Sequence, residues 1–249
     1  LAPYSGAYAR LDGSFAWTPK AHPRRVPAPS VNKVAPSLRA AIERSGLEDG
    51  MTISFHHHLR NGDAVVGIVL AELERMGFRN LTLAPSSLGD SHDCAADAIK
   101  RGVVTRLNTS GVRGEVGKAI TNGLLETPAI IRSHGGRARA IEEGSLRIDV
   151  AFLAAPACDR LGNMTGSSGP TACGSMGYAI HDARYAGHVV AVTDNLVGYP
   201  LAPRISIPPY LVDPVVVVED RKSTRLNSSP GKLSRIASSV KTKNLRSRR

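Results

Sequence analysis

The chain has 249 residues, a formal net charge of +11, 42% hydrophobic residues, 4% aromatic residues and three cysteines. The hydrophobic fraction is typical of a globular domain with a real core, and no apolar stretch approaches the roughly 20 residues that span a membrane. The N-terminus lacks the pattern of a signal peptide, and three scattered cysteines fit reduced thiols better than a disulfide framework or a zinc site. These features predict a cytoplasmic protein with reduced thiols and no membrane partner.

The positive charge is concentrated at one end of the chain. Ten of the 32 lysines and arginines, and none of the 21 acidic residues, fall in residues 221–249, so residues 1–220 carry 22 basic and 21 acidic residues. A nearly neutral body argues against nucleic acid as a partner of the folded part. Binding of nucleic acid through the basic segment is an alternative, which a steep salt dependence of affinity would reveal.

The predicted elements, taken in chain order, indicate an α/β domain between two segments of different composition. Residues 1–35 are rich in proline, glycine and alanine and predict an extended N-terminal arm. Residues 36–220 alternate helical and strand patterns at steps of about 25 residues, which predicts a mostly parallel sheet with flanking helices. The predicted helices cover residues 36–46, 64–76, 92–101, 115–124, 138–143 and 178–186, and the predicted strands cover 51–58, 80–84, 103–108, 129–133, 147–154, 188–193 and 214–219.

Residues 221–249 differ from the rest of the chain. They contain seven serines and no acidic or aromatic residue, which predicts a basic disordered tail. Part of this stretch resembles translated sequencing adapter, so foreign sequence beyond about residue 220 is one origin. A natural, solvated basic tail is the alternative.

Polar residues gather where the predicted strand at 51–58 meets the next helix. They are His56, His57, His58, Arg60, Asn61 and Gly62. Ligands of open α/β sheets bind beyond the carboxyl ends of the strands, so we expect these residues to bind an anionic substrate, with His56 as a catalytic acid or base. One core histidine with two surface histidines, and Asn61 as a helix N-cap, are the alternatives. No carboxylate or fourth ligand has the spacing of a metal site, so no metal is predicted.

A second predicted strand end has the same composition. It consists of Ser133, His134, Gly135, Gly136 and Arg137. Here we expect a glycine turn, with His134 as a catalytic residue and the N–H groups of Gly135 and Gly136 as catalytic oxyanion donors. Ser133 and Arg137 are predicted to bind substrate, the arginine as a bidentate fork for a carboxylate. An ordinary Gly-Gly turn is the alternative.

Two further loops carry glycine and polar residues. Ser110, Gly111 and Arg113 follow the predicted strand at 103–108 and are predicted to bind a second carboxylate of the substrate. A tight turn with a solvated arginine is an equally supported alternative. Residues 162–175 form a predicted loop of small residues, which suits a pantetheine-like arm or a flexible connection. Cys173 is not predicted to be a nucleophile, because no histidine neighbour can be assigned to it.

Six segments in chain order carry a resemblance to a known family. They are Gly50–His58, Asn80–Ala84, Thr109–Gly111, Ser133–Arg137, Ile148–Leu153 and Cys173–Ala179. Together they resemble the alpha subunit of citrate lyase, a citrate CoA-transferase. The resemblance implies a CoA-transferase-like α/β fold, of which residues 36–220 are one of two such halves.

The resemblance also implies an activity and partners. The chain would exchange acetate for citrate on a thioester carried by a dephospho-CoA derivative of the acyl-carrier (gamma) subunit, or by CoA. The lyase (beta) subunit would then cleave the citryl thioester within an oligomeric complex. A malonate decarboxylase-type acyl-carrier transferase and a non-catalytic ligand-binding or subunit-interaction module of the same fold are the alternatives. No catalytic carboxylate can be assigned, and if it lies in the second half, this chain alone would be inactive.

Overall fold

The computed structural model describes residues 32–56, 64–201 and 204–218. Predictions for the other residues lie outside the described residues and stay predictions. The α-helices are α1 (Leu38–Arg44), α2 (Val65–Arg75), α3 (Cys94–Lys100), α4 (Gly114–Thr121), α5 (His134–Glu142) and α6 (Ala179–Tyr185). The strands are β1 (Thr52–His56), β2 (Leu81–Leu83), β3 (Val104–Thr109), β4 (Ile130–Ile131), β5 (Val150–Ala155), β6 (Ala157–Asp159), β7 (Met164–Thr165), β8 (His188–Thr193), β9 (Leu196–Val197) and β10 (Val215–Val217).

Seven strands form one parallel sheet in the order β10-β8-β5-β1-β2-β3-β4. The chain enters at the central strand β1 and moves outward through β2 and β3 to the edge strand β4. It then returns to β5, on the other side of β1, and continues outward to β8 and β10. The winding therefore reverses between β1 and β5, which is where open α/β sheets bind ligands. The predicted mostly parallel sheet with flanking helices is confirmed.

Helices cover both faces of this sheet. The first face, under α1 to α4, contains Phe55 and Phe152, whose rings stack with centroids 5.5 Å apart. The second face, under α5 and α6, contains Ala151, Leu153 and Val189. Strands covered on both faces need apolar residues throughout, and β5 is buried along its whole length. Among the described residues, no helix is long and apolar enough to cross a membrane.

The pairing of β2 with β3 slips by one residue. Leu81 lies opposite Val104, whereas Thr82 lies opposite Arg106, so one residue of β3 has no counterpart on β2. This β-bulge allows Val104 and Leu107, three residues apart, both to reach the core under α1 to α4. Alternation then resumes, and the residue after Leu107 faces α5 and α6.

Two features of the fold differ from the sequence-based expectation. Helix α5 begins at His134, four residues before its predicted start at residue 138. The two glycines in its first turn disfavour helix. The reason for the early start is the cap: Ser133 Oγ accepts a hydrogen bond from the N–H of Gly136 at 3.0 Å, which stabilises the first turn. A small sheet in the order β7-β6-β9 also occurs, because strands of two or three residues give no periodic signal in the sequence.

The last residues of the predicted arm are attached to the domain. The N–H of Lys33 donates to the carbonyl of Arg160 at 2.7 Å. Val34 forms a parallel bridge with Val215 of β10. Residues 32–35 therefore pack on the sheet edge, and the path of residues 1–31 stays a prediction.

Candidate active site

The carboxyl ends of β1 to β4 align four polar residues. The N–H of Ser86 donates a 3.1 Å hydrogen bond to the backbone carbonyl of residue 55, directly before His56. The N–H of Ser110 donates to the Ser86 carbonyl at 3.2 Å. The N–H of Arg132 donates to the carbonyl that precedes Ser110 at 2.8 Å. These bonds place His56, Ser86, Ser110 and Arg132 side by side at this edge of the sheet. Continuing the alternation of the strands beyond their ends assigns the four residues to the face covered by α5 and α6. We call these four residues the rim row.

The first turn of α5 follows the rim row directly. Ser133 Oγ accepts the N–H of Gly136, and the Ser133 carbonyl accepts the N–H of Arg137 at 2.8 Å. The N–H groups of His134 and Gly135 occupy helical positions that lack an acceptor within the helix, and the helix dipole adds positive potential there. The predicted glycine turn is thus a helix N-terminus. Gly136 is engaged in the cap, and Gly135 presents the open N–H.

Arg137 is buried and makes contacts within the protein. Its side chain is 1% exposed, and its Nη2 donates to Ser54 Oγ at 2.9 Å and to the Ala84 carbonyl at 2.8 Å. The same Nη2 lies 3.0 Å from Asp182 Oδ1. One nitrogen of the predicted fork, Nη2, is therefore engaged within the protein. The guanidinium instead connects α5 with β1, β2 and α6.

This contact joins the strand that carries His56 to the helix that begins within the second predicted motif. Ser54 lies two residues before His56 on the same face of β1, and Arg137 lies one helical turn after Ser133. The 2.9 Å hydrogen bond between Arg137 and Ser54 therefore brings the end of β1 and the start of α5 to the same edge of the sheet.

Asp182 and the contact made by Ser54 are not predicted from the sequence. Burial raises the pKa of the Asp182 carboxyl, while the Arg137 guanidinium and the Ser54 hydroxyl act in the opposite direction. One signal was present, because Asp182 occupies a core-facing position next to Ala179 and Ala183 on α6. A carboxylate in such a position needs a buried partner, but the sequence does not say which cation supplies it.

Ring contacts connect the first turns of α5 and α6. The ring centroid of His134 lies 5.6 Å from that of Tyr178, which lies 6.2 Å from that of His181. Nδ1 of His181 is 2.9 Å from Oε1 of Glu142. His134 is exposed beside the open N–H of Gly135, and its predicted catalytic role stays a prediction.

The other predicted site residues do not all reach this edge. Ser110 lies in the rim row, and the carbonyl of Gly111 accepts the N–H of Leu88 at 2.9 Å. Arg113 is exposed and is the N-cap residue of α4, a helix on the opposite face of the sheet. The structure therefore brings Ser110, but not Arg113, to the rim row. His57, His58, Arg60, Asn61 and Gly62 lie outside the described residues.

The predicted loop of small residues is a packed element. The N–H groups of Cys173 and Gly174 donate to the Gly166 carbonyl at 2.8 and 2.9 Å. A Cβ at Gly166 would lie 2.3 Å from the Gly174 carbonyl oxygen, so this close approach requires glycine. These contacts favour a packed loop over a flexible connection. Within the described ranges, no group of three or more His, Cys, Asp or Glu side chains is arranged to hold a metal ion.

Similarity to solved structures defines the class of fold. An acyl-CoA transferase from Escherichia coli O157:H7 is 18% identical with a TM-score of 0.56, covering 79% of this chain and 49% of that chain. The alpha subunit of a malonate decarboxylase from Acinetobacter baumannii is 20% identical with a TM-score of 0.58, covering 77% of this chain and 35% of that chain. Likeness at these identities concerns the fold alone. The chain has the predicted CoA-transferase-like α/β fold.

Closer relatives define the family within this class. The family model "Citrate lyase, alpha subunit (CitF)" matches residues 31–242. The citrate lyase alpha chain of Haemophilus influenzae is 50% identical over 209 residues, 81% of this chain and 42% of that protein. The citrate lyase alpha subunit of Streptococcus mutans, solved in complex with citrate, is 51% identical with a TM-score of 0.78, covering 82% of this chain and 40% of that chain. The chain belongs to the citrate lyase alpha subunit family and spans less than half the length of these relatives.

Proposed function

We propose that the chain takes part in exchanging acetate for citrate on a thioester, as a citrate lyase alpha subunit. One observation carries the proposal: the first turn of α5, with the open N–H of Gly135, is fixed over the end of β1, where the winding of the sheet reverses. A helix N-terminus at such a position attracts carboxylates and stabilises oxyanions. The citrate complex of the 51% identical relative supports the choice of substrate.

The exchange consists of two substitutions at acyl carbon. A carboxylate oxygen of citrate attacks the acetyl thioester carbon, the C–S bond breaks, and a thiolate leaves the mixed anhydride. The thiolate then attacks the citryl carbon, the C–O bond breaks, and acetate leaves. Each tetrahedral stage places negative charge on an oxygen, for which the Gly135 N–H is the proposed donor, with His134 beside it. His56 is proposed to hold or transfer a proton at the reacting carboxylate.

The partners are proposed on the basis of family membership. The thioester would be carried by a dephospho-CoA derivative on an acyl-carrier (gamma) subunit, or by CoA, and a lyase (beta) subunit would use the citryl product in a cytoplasmic complex. Residues 36–220 would be one of two CoA-transferase-like halves, between the arm at 1–35 and the tail at 221–249. The remaining proposed binding residues are Ser110, Ser133, His57, His58, Arg60, Asn61 and Gly62.

Two alternatives predict different results. A malonate decarboxylase-type subunit would require malonate, and the lower identity to that class, 20% against 50% for a citrate lyase alpha chain, favours citrate. A non-catalytic module would bind ligand without transferring an acyl group. Parallel incubations with acetyl-CoA and either radiolabelled citrate or radiolabelled malonate separate these functions. Label transfer to CoA supports the exchange, and transfer only with malonate supports the first alternative.

Substitution of Gly135 by alanine tests the proposed donor. Gly135 has open space around its Cβ position and no positive φ, so the folded chain itself does not require glycine there. We expect unchanged or slightly greater stability, but citrate affinity reduced by roughly fivefold or more, because the methyl group would obstruct the approach to the N–H. Gly117→Ala, in α4 and equally open, is the matched control with unchanged affinity. Equal citrate affinity of Gly135→Ala and wild type would contradict the role of Gly135.

A further inference from the structure

We infer that Asn108, Ser110 and Arg132 form a subsite for the hydroxyl-bearing carboxylate group of the substrate. The inference rests on the proposed function, because it concerns the part of the substrate that does not react with the thioester. Asn108 and Arg132 had no role in the sequence-based site. The inference depends on three neighbouring polar atoms in the structure.

These three atoms are buried and have no hydrogen-bond partner among the described residues. They are Oδ1 of Asn108, Oγ of Ser110 and Nε of Arg132. Asn108 as a whole is only 6% exposed. Buried polar atoms are nearly always hydrogen-bonded, since an unpaired one costs free energy. Three unpaired atoms in one place therefore indicate that something else completes them.

The strand register brings the three atoms together. Asn108 and Ser110 are two residues apart on the α5 side of the sheet, and Asn108 lies opposite Ile130 of β4. Arg132, two residues after Ile130, therefore lies opposite Ser110. Neighbouring strands are about 4.8 Å apart. The Arg132 Cβ is also 3.8 Å from the Cβ position of Gly136, so this corner lies against the first turn of α5.

The chemistry of the three atoms is complementary to a hydroxycarboxylate. The amide oxygen of Asn108 only accepts hydrogen bonds, so it suits a hydroxyl donor and not a carboxylate. The Arg132 Nε–H only donates and suits a carboxylate oxygen, and the Ser110 hydroxyl can do either. Citrate carries a hydroxyl and a carboxyl group on the same carbon atom. Malonate has no hydroxyl group, so this subsite would also discriminate between the two acids.

The positive charge of Arg137 next to the subsite favours an anionic ligand. The carbonyl of Ala84, which follows β2 and lies between Ser54 and Asn108 across the sheet, is held by Nη2 of Arg137. Nε and Nη1 of Arg137 are buried there without a partner among the described residues. Arg137 thus adds a second cationic group next to the Arg132 of the subsite. The Asp182 carboxylate of α6 is paired with Arg137, with Oδ1 3.0 Å from Nη2.

The test compares citrate with tricarballylate, which is citrate without its hydroxyl group, by equilibrium binding to the full chain. We expect wild type to prefer citrate by about three- to tenfold, the range of one neutral hydrogen bond. Asn108→Leu should remove this preference, because it weakens the binding of citrate and leaves the binding of tricarballylate unchanged. Arg132→Gln should weaken both ligands by about tenfold or more, because a charged partner is lost. Asn122→Leu, at the exposed C-cap of α4, and Arg184→Gln, at an exposed position of α6, are the matched controls with unchanged affinities.

The outcomes separate this inference from the proposed function. If wild type binds citrate and Asn108→Leu keeps its full preference over tricarballylate, the subsite is wrong while the proposed function stands. Ordered water would then account for the three atoms. If folded wild type binds neither acid, both fail. Asn108→Ala provides the same comparison should the leucine variant not unfold cooperatively.

Discussion

Replacement of Arg137 by methionine is expected to destabilise the protein by about 3 to 5 kcal/mol. The side chains of Arg137 and Asp182 are 1% and 0% exposed, so the variant would leave a buried carboxylate with the Ser54 hydroxyl as its remaining partner. An uncompensated buried charge costs this much because neither water nor a cation replaces the lost interaction. At about 2 to 4 °C per kcal/mol for a chain of this size, Tm should fall by roughly 6 to 20 °C.

The loss should also depend on pH. Burial already raises the pKa of Asp182, and removal of the guanidinium removes the main opposing influence, so its folded-state pKa rises further above the unfolded value. Between these two pKa values the folded variant binds a proton that the unfolded chain does not. Its stability therefore decreases as pH rises through this range and recovers at low pH. Urea unfolding of wild type and variant between about pH 5 and pH 8 measures this slope.

Two further variants test whether the buried ion pair between Arg137 and Asp182 causes the loss of stability. Arg137→Met/Asp182→Leu leaves no buried charge and should recover part of the stability lost in the single variant. Arg139→Met, on the same helix and paired with Glu143 in a partly exposed position, should cost no more than about 1 kcal/mol. If Arg137→Met unfolds within about 1 kcal/mol of wild type at neutral pH, the ion pair does not hold α5 in place.

Two other residues give independent predictions. Ser133→Ala removes the acceptor for the Gly136 N–H and should cost about 1 kcal/mol in urea unfolding, whereas Ser133→Asp should retain most of the cap; equal losses would contradict the capping role. Burial lowers the pKa of His92 below its usual 6.5, so the unfolded chain binds the proton first and stability is lost as pH falls through that value. His92→Asn keeps an acceptor for the Gly89 N–H and should flatten this part of the stability profile. An unchanged pH slope in that variant would assign the dependence to another group.

Much of the fold was predictable because its signals are local. The apolar runs of β5 and β8 and the helical spacing of α2 depend on neighbouring residues alone. The orientation of Arg137 was not predictable, because it depends on Asp182, 45 residues further along the chain. Two glycines followed by an arginine are equally compatible with a ligand-binding turn and with a capped helix. The direction of the side chain distinguishes these, and packing against β1 sets it.

The rim row was predictable only in part, for a related reason. His56 and Ser110 belong to motifs that attract attention in the sequence, whereas Ser86 and Arg132 are single polar residues after short strands. Such residues acquire a shared role only through the pairing of β2 with β3 and of β3 with β4. Strand register depends on contacts between distant segments, so no window of the sequence contains it.

The register slip between β2 and β3 determines which face of the sheet each later residue of β3 occupies. Val104 already points into the aliphatic interior, so an uninterrupted strand would send every second residue after it, Asn108 and Ser110 included, the same way. The Asn108 amide and the Ser110 hydroxyl would then replace methyl groups in the core, and the Leu107 side chain would lie on the other face, beside α5. Because of this one unpaired residue, the same strand contributes apolar side chains to the core at its start and polar side chains to the rim row at its end.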